Sequence, residues 1–179
     1  MNNPTRYGFW LRNLHWLIAT LVIAALALVE LHEYAPRGSA LRSNMMYFHM
    51  QFGLAVLILF LPRLIVRLAG KRPAIVPPAP LWQRIPAHTM HAVFYALIVI
   101  QPILGLLMMQ AGDHAVAFFG IPLPTFVSPD KNFSHQLGEY HELAGNVFLW
   151  LVVLHAVAAF WHHWGRKDNT LRRMLYKQS

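Results

Sequence analysis

Eleven histidines and no cysteine stand in a chain of 179 residues, and these two counts decide which metal chemistry is open to it. Without thiolates there is no disulfide scaffold, no cysteine-ligated zinc or iron–sulfur site and no covalent c-type haem attachment. Imidazole, the commonest metal ligand, is the donor that remains. Two histidines, His141 and His155, are separated by fourteen residues. On a helix this is a rise of ~21 Å, with the two side chains within ~40° of one another in azimuth. One face of one helix would then offer a ligand at each of two depths.

The elements that must carry these residues are apolar. Hydrophobic residues make up 56 % of the chain and charged residues 12 %, about half the charged share of a soluble domain. Too little polar surface exists to cover a water-soluble globule, so the composition points to a membrane protein. Four apolar stretches run from about Trp10 to Leu31, Met45 to Val66, Ala87 to Gln110, and 141 to 164, the last with its apolar part beginning at Leu143. Each is near the ~20 residues a helix needs to cross ~30 Å of hydrocarbon. Polar and proline-rich segments separate them: Glu30 to Ser39, Pro73 to Pro80 with four prolines, and Gly112 to Pro129 with three. Pro102 lies inside the third stretch and is expected to kink it. The expected fold is an all-α integral membrane four-helix bundle in one domain. Met1 to Arg12 shows no cleavable signal pattern, so the first span is read as a retained helix.

Lysine and arginine set the orientation. Twelve of the 15 basic residues fall on one side: Arg6, Arg12, Arg63, Arg67, Lys71, Arg72, Arg84, Arg166, Lys167, Arg172, Arg173 and Lys177. The other side carries Arg37, Arg42 and Lys131, with all the acids except Asp168. Both termini are expected in the cytoplasm. The net charge of +8 is therefore a topology signal, with anionic lipid contact. It is not a nucleic-acid signal, because no soluble basic–aromatic module exists to carry it.

Placed in these spans, His15 lies one turn into the first, near the cytoplasm, and matches the depth of His155. His49 lies one turn into the second, near the opposite face, and matches His141. Ionisable residues inside a span are costly and usually functional. The depths predict two stacked sites, His49 with His141 and His15 with His155. Zinc-like ions take three or four ligands, often with a carboxylate, and no acid lies deep in a span. Two neutral imidazoles suit the axial positions of haem iron, whose other four ligands are its own. Gly53 follows His49 by four and Gly145 follows His141 by four; on the same helix face, each glycine would let a flat ring approach the backbone. His88 and His91, at the start of the third span, are alternatives to His15 or line a quinone site. His162 is a further quinone-site candidate, and Arg63 and Arg67 are candidate partners of haem propionates. His32, His114 and His135 read as loop residues. The tryptophans read as interface anchors, and Met108 with Met109 as packing.

The segments Leu14-His15-Trp16, Asn44 to Gly53, Ala87 to His91, His141-Glu142-Leu143-Ala144, Leu154-His155-Ala156, His162-His163 and Trp164 to Met174 together resemble the bacterial cytochrome b561 family over nearly the whole chain. That resemblance implies two haem b groups with His15, His49, His141 and His155 as axial ligands, in the bacterial inner membrane. The similarity is to the stand-alone type that passes electrons from superoxide to ubiquinone. The same helical core recurs in cytochrome b subunits of membrane hydrogenases and formate dehydrogenases, so a partner dehydrogenase is the alternative. A non-redox haem sensor or carrier is a third reading, disfavoured by filled axial positions. If superoxide is the substrate, Arg37, Arg42 and Lys131 are the basic residues available to steer an anion to the outer site; Arg37 and Lys131 are the catalytic-side candidates.

Overall fold

Four long helices account for most of the computed structural model, which describes residues 6–175; residues 1–5 and 176–179, Lys177 among them, lie outside the described part. They are α1 (Phe9–Leu31), α2 (Ala40–Ala69), α3 (Leu81–Ala111) and α4 (Lys131–Phe160). All four are long and apolar enough to cross a membrane. Three begin earlier than their apolar stretches, because polar residues extend a helix once its first N–H groups have acceptors. Ser39 Oγ accepts from Arg42 N at 3.2 Å and starts α2. Asp130 Oδ1 accepts from Asn132 N and Phe133 N at 2.9 and 3.1 Å and starts α4. Pro80 precedes α3, which runs unbroken through Pro86 and Pro102.

Helix α1 packs chiefly on α2, and α3 on α4, as two antiparallel pairs. Both described ends of the chain meet at one end of the bundle, the terminal end, where Tyr7 N donates to Arg173 O. The core lies at the waist: Ile18 and Val22 of α1, Val56 of α2, Leu97 and Ile98 of α3, and Phe148 of α4. Large apolar side chains elsewhere face outward, including Leu61, Leu143, Trp150 and Trp164. An apolar exterior of this extent is what a hydrocarbon surround stabilises and water does not.

At the opposite end, 112–130 is organised by two glutamines. Strands β1 (Ala117–Phe118) and β2 (Ile121–Pro122) form a short antiparallel hairpin. Its turn residues Phe119 and Gly120 both have positive φ, 44° and 88°, the geometry of a tight two-residue hairpin turn. Phe119 is an uncommon residue in that region. Gln51, fully buried, spans the hairpin: its Nε2 donates to Ala117 O at 3.0 Å and its Oε1 accepts from Phe119 N at 2.6 Å. Gln110 does the same for Pro124 O and Phe126 N at 2.8 and 2.9 Å. At the terminal end the tail is held from both sides. Trp16 Nε1 donates to Met174 O at 2.8 Å, and Arg173 Nη1 donates to Pro73 O at 2.6 Å.

Gln51→Leu leaves a carbonyl and an N–H of the hairpin without their buried partner, a loss of roughly 1–3 kcal/mol. Hydrogen exchange at the Phe119 amide is expected to accelerate. Unchanged exchange there would mean that the hairpin holds itself without Gln51.

Candidate metal centres

The bundle brings the in-span histidines together at two levels. At the hairpin end, the rings of His49 and His141 face each other with centroids 6.0 Å apart and planes at 87°. Each ring is oriented by a carbonyl on the neighbouring helix of its own pair. His49 Nδ1–H donates to Ala25 O of α1 at 2.8 Å, and His141 Nδ1–H donates to Gln101 O of α3 at 3.1 Å. A neutral imidazole carries one N–H, so committing Nδ1 leaves the lone pair of Nε2 free on both rings. Gln101 returns a bond, its Nε2 donating to His141 O at 2.9 Å.

At the terminal end, the His15 and His155 centroids are 6.4 Å apart with planes at 84°. A third ring shares this level: His91 lies 5.7 Å from His155, with Nδ1–H donating to Ala87 O at 2.5 Å. His88 is exposed. Arg63 Nη2 stands 3.2 Å from His15 Nδ1. A guanidinium only donates, so Nδ1 of His15 accepts here, a different tautomer from His49 and His141. Arg63 Nε and Arg67 Nη1 are buried with no partner, so this end has unsatisfied donors awaiting an acceptor.

These pairs fit haem and do not fit zinc. Among the described residues no group of three or more histidines and carboxylates is arranged to hold a metal ion. Metal–imidazole bonds are about 2 Å, which puts a ring centroid about 3 Å from the metal and two opposed rings about 6 Å apart. His49 with His141 is at that separation, and at the terminal end both His15 and His91 are at that separation from His155.

Several neighbours escaped sequence reasoning. A Cβ on Gly105 would stand 3.1 Å from His141 Cε1, so the absence of a side chain at Gly105 is what seats that ring. At Gly145 the available room is taken by the Gln101 amide, 3.3 Å from where a Cβ would lie, whereas Gly53 opens on free space. Gln101 was the one available signal, a polar amide in mid-span beside Pro102. Phe94 contacts the His155 ring at 5.3 Å and Phe148 at 5.9 Å, and Phe148 sits in the core layer that separates the two levels.

The remaining candidates lie at the ends. Arg37 and Lys131 are exposed at the hairpin end, with no carboxylate in ion-pair range among the described residues. Arg42 is engaged, by Glu33 Oε1 at 3.3 Å and by the carbonyl of His32 at 2.7 Å. At the terminal end, His162 Nδ1 donates to Asp168 Oδ2 at 2.5 Å. Burial pushes the Asp168 carboxyl up, but hydrogen bonds from His162 and from Thr170 N–H outweigh it and hold the group below the usual carboxylate range.

Membrane-length helices whose core presents opposed imidazole pairs define a membrane cytochrome of the b type, in which histidine and not thioether bonds hold the haem. The chain belongs to the prokaryotic cytochrome b561 family, whose sequence model matches residues 6–177. It is 35 % identical over 162 residues to cytochrome b561 homolog 1 of Escherichia coli K12, covering 90 % of this chain and 92 % of that protein. It is also 35 % identical over 166 residues to a Yersinia pestis protein described as the probable superoxide oxidase CybB, covering 92 % and 93 %. Cytochrome b561 homolog 2 of E. coli K12 is 28 % identical, covering 99 % and 95 %. The family implies b-type haem and electron transfer in a bacterial membrane.

Gly105→Val should push the His141 ring from its seat and lower the haem bound per protein chain, read by pyridine haemochrome assay; full haem content would remove Gly105 from the site. In the loaded wild-type protein, crossed ring planes at both pairs should give strongly anisotropic low-spin EPR signals. The more rhombic signals of parallel rings would contradict the geometry found here.

Proposed function

We propose that the chain is a di-haem cytochrome that carries electrons across the bilayer, taking them from superoxide and delivering them to ubiquinone. The observation that carries this reading is the presence of two imidazole pairs at two depths, with His141 and His155 on one helix and an apolar layer between them. The relative described as a probable superoxide oxidase supports the choice of donor. Haem held there would supply one-electron chemistry.

The chain's own residues do the rest. His49 and His141 hold the group at the hairpin end, and His15 and His155 hold the group at the terminal end. Ligation of His15 through Nε2 puts its ring proton on Nδ1, opposite a guanidinium that can only donate. Arg63 and Arg67 would offer a propionate carboxylate the buried N–H groups that lack acceptors. The uneven distribution of lysine and arginine puts the terminal end in the cytoplasm of a bacterial inner membrane and the hairpin end outside. Arg37 and Lys131, without a carboxylate partner among the described residues, raise the local concentration of a small anion. Two superoxide anions each lose one electron and leave as O2; one quinone gains two electrons and two protons to become quinol. His91 and His162 line the quinone end.

The test is optical, on purified oxidised protein mixed with a superoxide source. Rapid haem reduction that drains on adding ubiquinone is the expected outcome. Haem that superoxide leaves oxidised would overturn the donor and favour an electron-transfer subunit of a dehydrogenase or hydrogenase. His141→Ala should bind one haem per chain instead of two; two haems retained in that variant would overturn the pairing.

A further inference from the structure

Beyond Phe160 the chain does something no axial ligand requires. The turn Trp161–Gly165 is wound wide, with Arg166 N donating to Trp161 O at 3.0 Å. Lys167 then adopts φ +55°, an uncommon conformation for a lysine. The chain reverses there, and Asp168 folds back on the turn. Its N–H donates to His162 O at 3.1 Å. Its carboxylate takes His162 Nδ1–H on one oxygen and Thr170 N–H, at 2.8 Å, on the other. Asp168 is 1 % exposed and is the sole acid the sequence assigns to this end.

Burying a carboxylate is expensive unless it is paired. If charge balance were its whole purpose, arginine would be the better partner, being always charged and bidentate, and this end is rich in arginine. Yet Arg166 Nε pairs with Asp168 only at 3.7 Å, without a hydrogen bond, and the Nε of Arg173 is buried without a hydrogen-bond partner. The short contact goes instead to an imidazole, a side chain suited to passing protons. A carboxylate on Nδ1–H also fixes which ring nitrogen is free, leaving Nε2 to face a substrate. Quinone reduction at this end needs protons as well as electrons.

We propose that Asp168 is a positioning residue that holds His162 as the proton donor for quinone reduction at the terminal end. This rests on the quinone-reducing reading above. In each turnover the quinone takes two electrons, which two superoxide anions supply through the chain's haem, and two protons. His162 Nε2–H gives a proton to a quinone oxygen and is reprotonated from cytoplasmic water. Asp168 holds the ring through Nδ1–H and does not itself lose its charge. The charged and titratable groups around the pair are Arg166 on the same turn, His163 beside His162, Arg173 on the tail, and Arg67 of α2 with Tyr7, which stack on one another.

The experiment measures superoxide-driven ubiquinone reduction against pH for haem-loaded wild type, Asp168→Asn and His162→Asn. The wild-type rate should fall on the alkaline side as the donor loses its proton. Removing the carboxylate leaves the ring free to turn and to exchange tautomers, so that Asp168→Asn should be about tenfold slower in kcat, with its haem content and its reduction by superoxide retained. Asp168→Glu should recover part of the loss. A haem-loaded Asp168→Asn with the wild-type profile would overturn the proposal. If Asp168→Asn does not fold, His162→Asn decides, because it keeps an N–H toward Asp168 and lacks the transferable proton: a slow rate without the alkaline limb supports the proposal, and a wild-type profile overturns it. Wild-type protein whose haem is reduced by superoxide but never drains into quinone would instead overturn the underlying reading, and the proposal with it.

Discussion

An imidazole N–H given to a backbone carbonyl of the adjacent helix is the constraint on which the hairpin-end site depends. His49 reaches across to α1 at Ala25, and His141 reaches across to α3 at Gln101. Each bond does two jobs. It ties one helix to the other within an antiparallel pair, and it leaves Nε2 as the uncommitted nitrogen of the ring. The two halves of the bundle therefore present their ligands to each other without any bond between them. Little else is needed to hold the rings, provided that no side chain intrudes, which is why Gly105 sits where it does.

The terminal-end level is built differently. A third histidine and an arginine crowd the pair, and the donors of Arg63 and Arg67 are not all satisfied within the protein. Unsatisfied buried donors are costly and are retained where a ligand completes them. The two levels also differ in electrostatic surroundings, with most of the basic residues at one end. The imidazole pairs at the two levels therefore stand in unlike electrostatic fields. Between the levels lies a dry layer of aliphatic residues and Phe148, in contact with Phe94 and through it with His155. That layer separates the charged ends and keeps water from joining them.

Both ends are closed by side chains that satisfy backbone groups. Gln51 and Gln110 pin the loop at one end. Trp16, Asn169 and Arg173 pin the tail to the first helix and the proline-rich loop at the other. A loop over a membrane core has few neighbours of its own, and glutamine, with a donor and an acceptor on one amide, supplies a carbonyl and an N–H with partners at once.

By itself the sequence determined the four spans, their connections, and the depth of each histidine, because helix rise and hydrocarbon thickness are fixed lengths against which positions can be counted. The expected pairs, His49 with His141 and His15 with His155, came from that count, and the rings lie 6.0 and 6.4 Å apart, with His91 also 5.7 Å from His155. What depth cannot supply is azimuth: how each helix is turned about its axis depends on contacts with its neighbours. The tertiary structure alone therefore decided that His91 joins the level of His155 while His88 does not, that Gly105 and Gln101 seat His141, and that Gly145 accommodates an amide. It alone also decided that Asp168, an isolated acid in a basic tail, folds back onto His162. That contact crosses a wide turn and a left-handed residue, Lys167, neither of which hydrophobic periodicity encodes.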